Sequence, residues 1–192
     1  MDGVVMGGGV GVSAHGDVRV VTERSTVGMP EATIGFVPDV GGTYLLSRAP
    51  GETGTHLALT AEPVGPGDAV YTGLADHYVP SDRLPDLTEE LTKAASAADV
   101  SDAVGRFAET VPAGDLAGAR HWIDACYSAD TAEEIVERLR SHATGTPRAP
   151  PRSSRASRPR QSRSSWPPSA VPGSCPPWRR SWSRSTASPA PR

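Results

Sequence analysis

The stretch that decides the fold runs from Met29 to Gly42 and reads MPEATIGFVPDVGG. It places two carboxylates, Glu31 and Asp39, eight residues apart in an otherwise uncharged segment. Pro30 and Pro38 restrict the backbone immediately before each acid. Carboxylates held in apolar surroundings can exchange protons near neutral pH, which suits general acid–base chemistry. The stretch therefore predicts a site built on these two side chains.

A plainer interpretation fits the same spacing. Asp is among the best N-cap residues, so Asp39 could cap a helix that opens at Gly41. Glu31 would then be a solvated loop residue. The spacing alone supports both interpretations equally, and a second stretch is needed to decide between them.

That second stretch is residues 1–16, MDGVVMGGGVGVSAHG, which predicts a short strand, a glycine turn and a small-residue helix. Glycines between a strand and a helix let backbone N–H groups approach a ligand closely, at the positive end of the helix dipole. Such N–H groups can hold an oxyanion as charge develops on a carbonyl oxygen. The two stretches together predict an oxyanion site beside a carboxylate.

GGGVG followed by MPEATIGFVPDVGG resembles the crotonase (enoyl-CoA hydratase/isomerase) superfamily, and more narrowly its 3-hydroxyisobutyryl-CoA hydrolase branch. LALTAEPV and AVYTGLADHYVP follow in the family's order, and the resemblance runs from Met1 to about Leu139. It implies an α/β fold, with a partial crotonase-like spiral of ββα units over residues 1–83. A helical region over 84–144 and a disordered tail over 145–192 would follow.

The resemblance also implies roles for individual residues. A thioester carbonyl oxygen would sit on the N–H of Gly8, the middle residue of the glycine turn, with Gly7 and Gly9 beside it. Glu31 would be the main catalytic carboxylate, either activating water or attacking to give a short-lived anhydride. Asp39 would hold the substrate's 3-hydroxyl or share proton transfer.

One position discriminates within the superfamily. Hydratases usually carry a second glutamate two residues after the third glycine, and here that position is Gly11. The acidic residue in PDVGG is what the hydrolase branch shows. The resemblance therefore favours hydrolysis of a short acyl-CoA thioester over the hydratase or isomerase alternative. A non-catalytic fragment is the alternative of a different class.

Three other motifs give only weak indications of function. Gly9 to Ala14 fits the loose dinucleotide pattern GxGxxA, but the next acidic residue at a strand end, Glu23, comes only twelve positions after Gly11, too early for that fingerprint. Ser13 and His15 lie two apart and so would not face each other on a helix. Asp76 and His77, adjacent on a predicted strand, are interpreted as structural.

The periodicity places the remaining elements. Strands are predicted over residues 17–23, 26–29 and 74–79, and helices over 42–49, with Tyr44, Leu45 and Leu46 packing inward, over 52–60 and over 66–71. From Leu84 to Leu139 the apolar spacing is helical, with Asp130 or Thr131 capping the last helix.

Charge divides the chain unevenly. Ten of its 19 Lys and Arg side chains, all arginine, lie in residues 145–192, which contain no Asp, Glu or Lys. Residues 1–144 therefore keep nine basic side chains against 22 acidic ones. The tail is rich in Ser, Pro and Arg, which is typical of disorder and of nucleic-acid contact. We interpret it instead as the product of a GC-rich gene read out of frame, with the frameshift near residues 141–148.

The remaining expectations concern partners and location. The resemblance implies a substantial region before Met1 in a complete enzyme, carrying the other oxyanion N–H and much of the coenzyme A contact. We expect an acyl-CoA substrate, no cofactor beyond its coenzyme A, no metal, no nucleic acid and no membrane. A homo-oligomer through the helical region and a cytoplasmic location complete the prediction, the latter because no leader or membrane-spanning pattern is seen.

Overall fold

The computed structural model describes residues 1–145. Within them, four short strands are present: β1 (Val4–Met6), β2 (Val20–Val21), β3 (Thr26–Gly28) and β4 (His77–Tyr78). The α-helices are α1 (Gly8–Ser13), α2 (Gly42–Leu46), α3 (Thr53–Thr60), α4 (Pro66–Tyr71), α5 (Leu84–Leu91), α6 (Ala97–Phe107), α7 (Leu116–Tyr127) and α8 (Ala132–Gly145). Two 3-10 helices cover Pro30–Ile34 and Ser81–Arg83.

The strands form two parallel pairs. β1 lies beside β3 with Val5 opposite Val27, and β2 lies beside β4 with Val21 opposite Tyr78. Parallel neighbours need a crossover connection, and α1 lies within the one from β1 to β3. An antiparallel bridge from Val27 to Val64 continues the first pair. This arrangement places the glycine turn after β1 directly beside the end of β3.

Two predicted strands are shorter than the sequence indicated. Residues 17–23 and 74–79 were expected to be extended throughout, but only Val20–Val21 and His77–Tyr78 pair. Next to the paired residues Val20 and His77, the Asp76 side chain replaces a backbone acceptor of the strand pairing. Its carboxylate accepts bonds from the Arg19 backbone N–H at 2.8 Å and from the Arg19 guanidinium at 2.5 and 2.8 Å. This confirms a structural role for Asp76, and the guanidinium holds the pKa of its carboxyl below the usual value.

The core joins the strands to the later helices. Ile123, Cys126 and Tyr127 of α7 pack into the same apolar cluster as the strand residues Val21 and Val27. A second, smaller cluster contains Val79, Leu87 and Val104 beneath α5 and α6. The helices predicted over 84–139 are confirmed as α5 to α8, and α7 and α8 complete the core beneath the strands.

The helix that follows the two acids was predicted over 42–49 but ends at Leu46, and one of its side chains is placed differently from the prediction. Leu45 and Leu46 of α2 are buried as expected, but Tyr44 is 55% exposed and does not pack inward. The Arg48 guanidinium lies 4.2 Å from the Tyr44 ring centre. Cation–π contact on the surface therefore replaces the expected core contact, since α2 has only five residues and one buried stripe.

Asp68 links two helices that are far apart in the sequence. Its buried carboxylate accepts hydrogen bonds from the backbone N–H groups of Asp115, at 3.1 Å, and Leu116, at 2.9 Å. These are among the first N–H groups of α7, which have no acceptor within the helix. A side chain of α4 thus caps α7, and α7 carries the core residues named above.

Apolar side chains remain exposed along β1 and α1. Val4 is 75% exposed and Val12 is 87% exposed, and both line an open groove of about 640 Å³ with Met1, Val5 and Met6. No helix among the described residues is long and apolar enough to cross a membrane. The predictions for residues 145–192 lie outside the described part, apart from Gly145 at the end of α8.

Candidate active site

Glu31 lies in the 3-10 helix Pro30–Ile34, which begins directly after β3. Met29 is extended and Pro30 occupies the first helical position, where its missing N–H costs no hydrogen bond. The turn buries Glu31, which is only 8% exposed. The interpretation of Glu31 as a solvated loop residue is therefore wrong.

Gly7 makes room for the Glu31 carboxylate. A β-carbon on Gly7 would lie 2.8 Å from Glu31 Oε1, and the Gly7 φ of 51° is one that side-chain-bearing residues rarely adopt. The Gly7 N–H donates to the carbonyl oxygen of Gly28 at 3.0 Å, which ties the glycine turn to the end of β3. The turn and the carboxylate are thus held face to face.

The second carboxylate oxygen of Glu31 is buried and has no hydrogen-bond donor among the described residues. Buried polar atoms are nearly always paired, because an unpaired one loses its hydration without compensation. A carboxylate oxygen in this state is a ready acceptor of a proton or a hydrogen bond. This is the chemical property that a general base or a nucleophile requires.

The predicted oxyanion donors stand at the start of α1. Gly8 and Gly9 are its first two residues, so their N–H groups have no acceptor within the helix. A β-carbon on Gly8 would meet nothing within 4 Å, whereas one on Gly9 would lie 3.5 Å from Val5 Cγ1. Of the two residues, Gly8 therefore has the more open surroundings.

Asp39 is exposed, and its carboxylate makes no hydrogen bond or ion pair with any described residue. The cap of α2 is Gly41, without a side-chain hydrogen bond, so the interpretation of the Asp39 side chain as a helix cap is wrong. Its backbone carbonyl oxygen instead accepts from the Gly42 N–H at 2.6 Å. The carboxylate itself is free to meet a ligand.

The two acidic segments lie along one side of α1. Glu31 contacts Gly7, and Val40, the residue after Asp39, packs on Gly11 one helical turn further on. A β-carbon on Gly11 would lie 2.5 Å from Val40 Cβ. Sequence reasoning missed this contact, since no local signal connects Gly11 with a residue 29 positions away.

Ser13 and His15 do not form a nucleophile–base pair. The Ser13 hydroxyl donates to the Gly9 carbonyl oxygen at 2.7 Å, inside its own helix. His15 Nε2 instead donates to the Val40 carbonyl oxygen at 3.0 Å. The two side chains therefore bond to different carbonyl oxygens, as expected of residues that do not face each other on a helix.

The dinucleotide pattern also finds no support. Gly9 and Gly11 lie inside α1, whereas that fingerprint needs its first glycine in the turn before the helix. The acidic residue Glu23 accepts a hydrogen bond from the Ser81 N–H at 3.0 Å. Among the described residues, no group of three or more His, Cys, Asp or Glu side chains could hold a metal ion.

Comparison with known proteins identifies the family. The family profile described as enoyl-CoA hydratase/isomerase matches residues 1–162. The mitochondrial 3-hydroxyisobutyryl-CoA hydrolase of Rattus norvegicus is 44% identical over 147 residues, which cover 73% of this chain and 38% of that protein.

Two solved structures share the fold. A carnitinyl-CoA dehydratase from Mycobacterium thermoresistibile is 52% identical with a TM-score of 0.70, covering 74% of this chain and 41% of that one. An enoyl-CoA hydratase from Rhodobacter sphaeroides is 42% identical with a TM-score of 0.64, covering 76% and 40%. They confirm the expected partial crotonase-like fold with its helical region.

The chain spans about two fifths of the length of these relatives. The family profile nevertheless covers most of the chain, and the glycine turn and both acidic segments lie within the matched residues. On this evidence the chain belongs to the enoyl-CoA hydratase/isomerase, or crotonase, family.

Proposed function

We propose that these residues carry the carboxylates of an acyl-CoA thioester hydrolase, with 3-hydroxyisobutyryl-CoA as substrate and valine catabolism as the setting. The observation that carries the proposal is the buried Glu31 carboxylate, held against the glycine turn with one oxygen unpaired. The 44% identity to a protein named as a hydrolase of that thioester supports the choice of substrate.

The reaction adds water to the thioester carbonyl carbon and releases 3-hydroxyisobutyrate and the coenzyme A thiol. Glu31 either takes a proton from the attacking water or attacks the carbonyl itself, giving an anhydride that water then opens. Negative charge on the carbonyl oxygen is stabilised by the N–H of Gly8. Asp39 holds the 3-hydroxyl of the acyl group or shares in proton transfer.

Hydration of an enoyl-CoA is the second candidate, because two solved relatives are named as a dehydratase and a hydratase. Water addition by paired glutamates would need the second one at Gly11. A β-carbon there would lie 2.5 Å from Val40 Cβ, so a glutamate cannot enter without moving Val40. This contact favours hydrolysis.

The remaining partners are proposals of the same kind. A role without catalysis is the alternative if the residues of this chain do not suffice for turnover. We propose an acyl-CoA ligand, no cofactor beyond its coenzyme A, and self-association through the helical region. The cytoplasmic location stays a prediction, and the rat relative is named as mitochondrial.

The test is release of the coenzyme A thiol from 3-hydroxyisobutyryl-CoA, followed with a thiol reagent. Two proteins are compared: the 192-residue chain and an extended protein, in which the codons upstream of Met1 are included. We expect hydrolysis by the extended protein and little or none by the 192-residue chain. Glu31→Gln should lower the rate of the extended protein by at least about 100-fold.

Two results would contradict the proposal. If the extended protein hydrates crotonyl-CoA and releases no thiol, the hydratase alternative is correct. If neither reaction occurs in a folded protein, the non-catalytic alternative is correct. Substantial hydrolysis by the 192-residue chain would instead overturn the expectation that it lacks part of the site.

A further inference from the structure

The residue after Asp39 has an unusual backbone conformation. Val40 has a φ of 45° and Gly41 a φ of 82°, so two successive residues are left-handed. This region is ordinary for glycine but rare and strained for a β-branched residue. Such a conformation persists only where surrounding contacts hold it.

One of those contacts comes from His15, two residues after the end of α1. His15 Nε2 donates to the Val40 carbonyl oxygen at 3.0 Å, which requires the proton to be on Nε2. A β-carbon on Gly41 would lie 2.5 Å from the same nitrogen. The imidazole thus covers the peptide that joins Val40 to Gly41.

The other contact comes from Gly11, one helical turn before His15. The Val40 side chain occupies the space beside Gly11 that a β-carbon would need. Val40 is therefore held from one side of α1 twice, through its side chain at Gly11 and through its carbonyl oxygen at His15. We call these contacts the Val40 clamp.

The Val40 clamp can fix the position of the Asp39 carboxylate. The Asp39 carboxylate has no partner among the described residues, so its own side chain does not fix its position. What fixes it is the loop backbone: the Gly42 N–H bond to the Asp39 carbonyl oxygen at 2.6 Å and the clamped residue that follows. A displacement of about 1 Å at a reacting group can cost about 100-fold in rate.

We infer that His15 and Val40 are positioning residues, which hold the Asp39 loop against α1 so that the carboxylate meets the acyl group. The inference rests on the proposed function for the role of Asp39, but the clamp itself does not. Its two parts can therefore be tested by separate measurements.

The first measurement is amide hydrogen exchange at Gly42 in the 192-residue chain. The nitrogen of a Gln side chain reaches about as far as His Nε2, whereas that of Asn reaches only about as far as Nδ1. His15→Gln should therefore keep the bond to Val40, and His15→Asn should break it and speed Gly42 exchange at least about tenfold.

His121 supplies a matched control, because its ring nitrogen also contacts a carbonyl oxygen, that of Gly118 at 3.1 Å, on the surface of α7. His121→Asn should leave Gly42 exchange unchanged.

Val40→Gly is the second variant: glycine accepts the left-handed φ, so the fold should persist while the clamp on Gly11 is lost. It too should speed Gly42 exchange. Unchanged exchange in both His15→Asn and Val40→Gly would overturn the clamp.

The second measurement is kinetic and uses the extended protein. Asp39→Asn identifies which of kcat and KM depends on the carboxylate, for 3-hydroxyisobutyryl-CoA and for isobutyryl-CoA, which lacks the hydroxyl. His15→Asn should change the same parameter, for the same substrate, and should add little when combined with Asp39→Asn. His15→Gln should restore it.

The outcomes separate the two claims. If His15→Asn changes a different parameter from Asp39→Asn, or if the two effects are additive, the positioning role is wrong. If the extended protein hydrolyses no thioester while Gly42 exchange responds as expected, the proposed function fails and the clamp remains.

Discussion

Glu31 and Gly7 fit together so closely that neither position can change independently. Glu31 Oε1 lies 2.8 Å from the place where a β-carbon of Gly7 would stand, and Gly7 has a φ of 51°. The glycine is needed both for the turn and for the carboxylate. The backbone conformation at Gly7 and the position of the Glu31 carboxylate therefore depend on each other.

Gly7→Ala should destabilise the protein and displace the Glu31 carboxylate. The left-handed φ alone costs a side-chain-bearing residue about 1–3 kcal/mol, and the new methyl group would push Glu31 away from the turn. The free energy of unfolding, measured by urea denaturation, should fall by that amount. Gly8→Ala is the matched control: it adds the same methyl group where nothing lies within 4 Å, so stability should be unchanged or slightly higher. Equal stability of the two variants would contradict the packing described.

Asp68→Ala should lower the free energy of unfolding by about 2 kcal/mol, because two N–H groups at the start of α7 lose their acceptor. Asp68→Asn keeps one acceptor oxygen and should lose about half as much. The control is Asp102→Ala, at an exposed aspartate of α6, which should change the free energy of unfolding by less than about 0.5 kcal/mol. Similar effects at both positions would show that the cap does not matter.

The features predicted correctly from the sequence are those that depend on residue type and spacing within one short segment. The glycine turn, the Pro30 that starts the turn bearing Glu31, and α4 with Pro66 at its first position all appear in the structure where residue type and spacing placed them. A carboxylate beside the glycine turn was predicted as well, but the close fit of Glu31 Oε1 at Gly7 and the packing of Val40 on Gly11 were not. They depend on where separate segments meet.

The unpredicted features share one physical cause. Asp68 caps a helix 47 residues later, and His15 bonds a carbonyl 25 residues away. Neither partner is marked by local periodicity or by a turn motif. Tyr44 was misplaced for the opposite reason: its local pattern suggested burial, but tertiary packing used only one side of a short helix.

His56 should make stability depend on pH. Its ring lies edge-on to Trp122 and Tyr127, with ring centres 5.5 and 5.0 Å away, and its Nδ1 has no partner among the described residues. Burial lowers its pKa in the folded chain, with Glu62 opposing the shift more weakly. The unfolded chain therefore takes up the proton first, at its ordinary value of 6.5, and stability falls as the pH drops below it.

The measurement is the free energy of unfolding at a series of pH values, for the wild type and for His56→Phe. The wild type should lose at most about 1.4 kcal/mol per pH unit from this group between about pH 7 and pH 5. Phe can fill the same space without titrating, so the difference in stability between the two proteins should be constant at high pH and should change as the solution becomes acidic. Parallel curves for His56→Phe and the wild type would refute the assignment.

The groove beside β1 and α1 should promote self-association. Val4 and Val12 present their side chains to solvent, and within residues 1–145 β1 pairs on one side only, with β3. An unpaired strand edge beside apolar side chains is a template for pairing with another chain. Val12→Lys should therefore shift the protein toward smaller species in size-exclusion chromatography with light scattering, because a charge on the groove opposes this contact and leaves the contact proposed for the helical region unaffected. Leu59→Lys introduces the same charge at another exposed apolar residue, on α3 and 50% exposed, and should leave the association state unchanged. A wild-type protein that elutes as a monomer and melts in one sharp transition would contradict this prediction, since the groove would then need no partner.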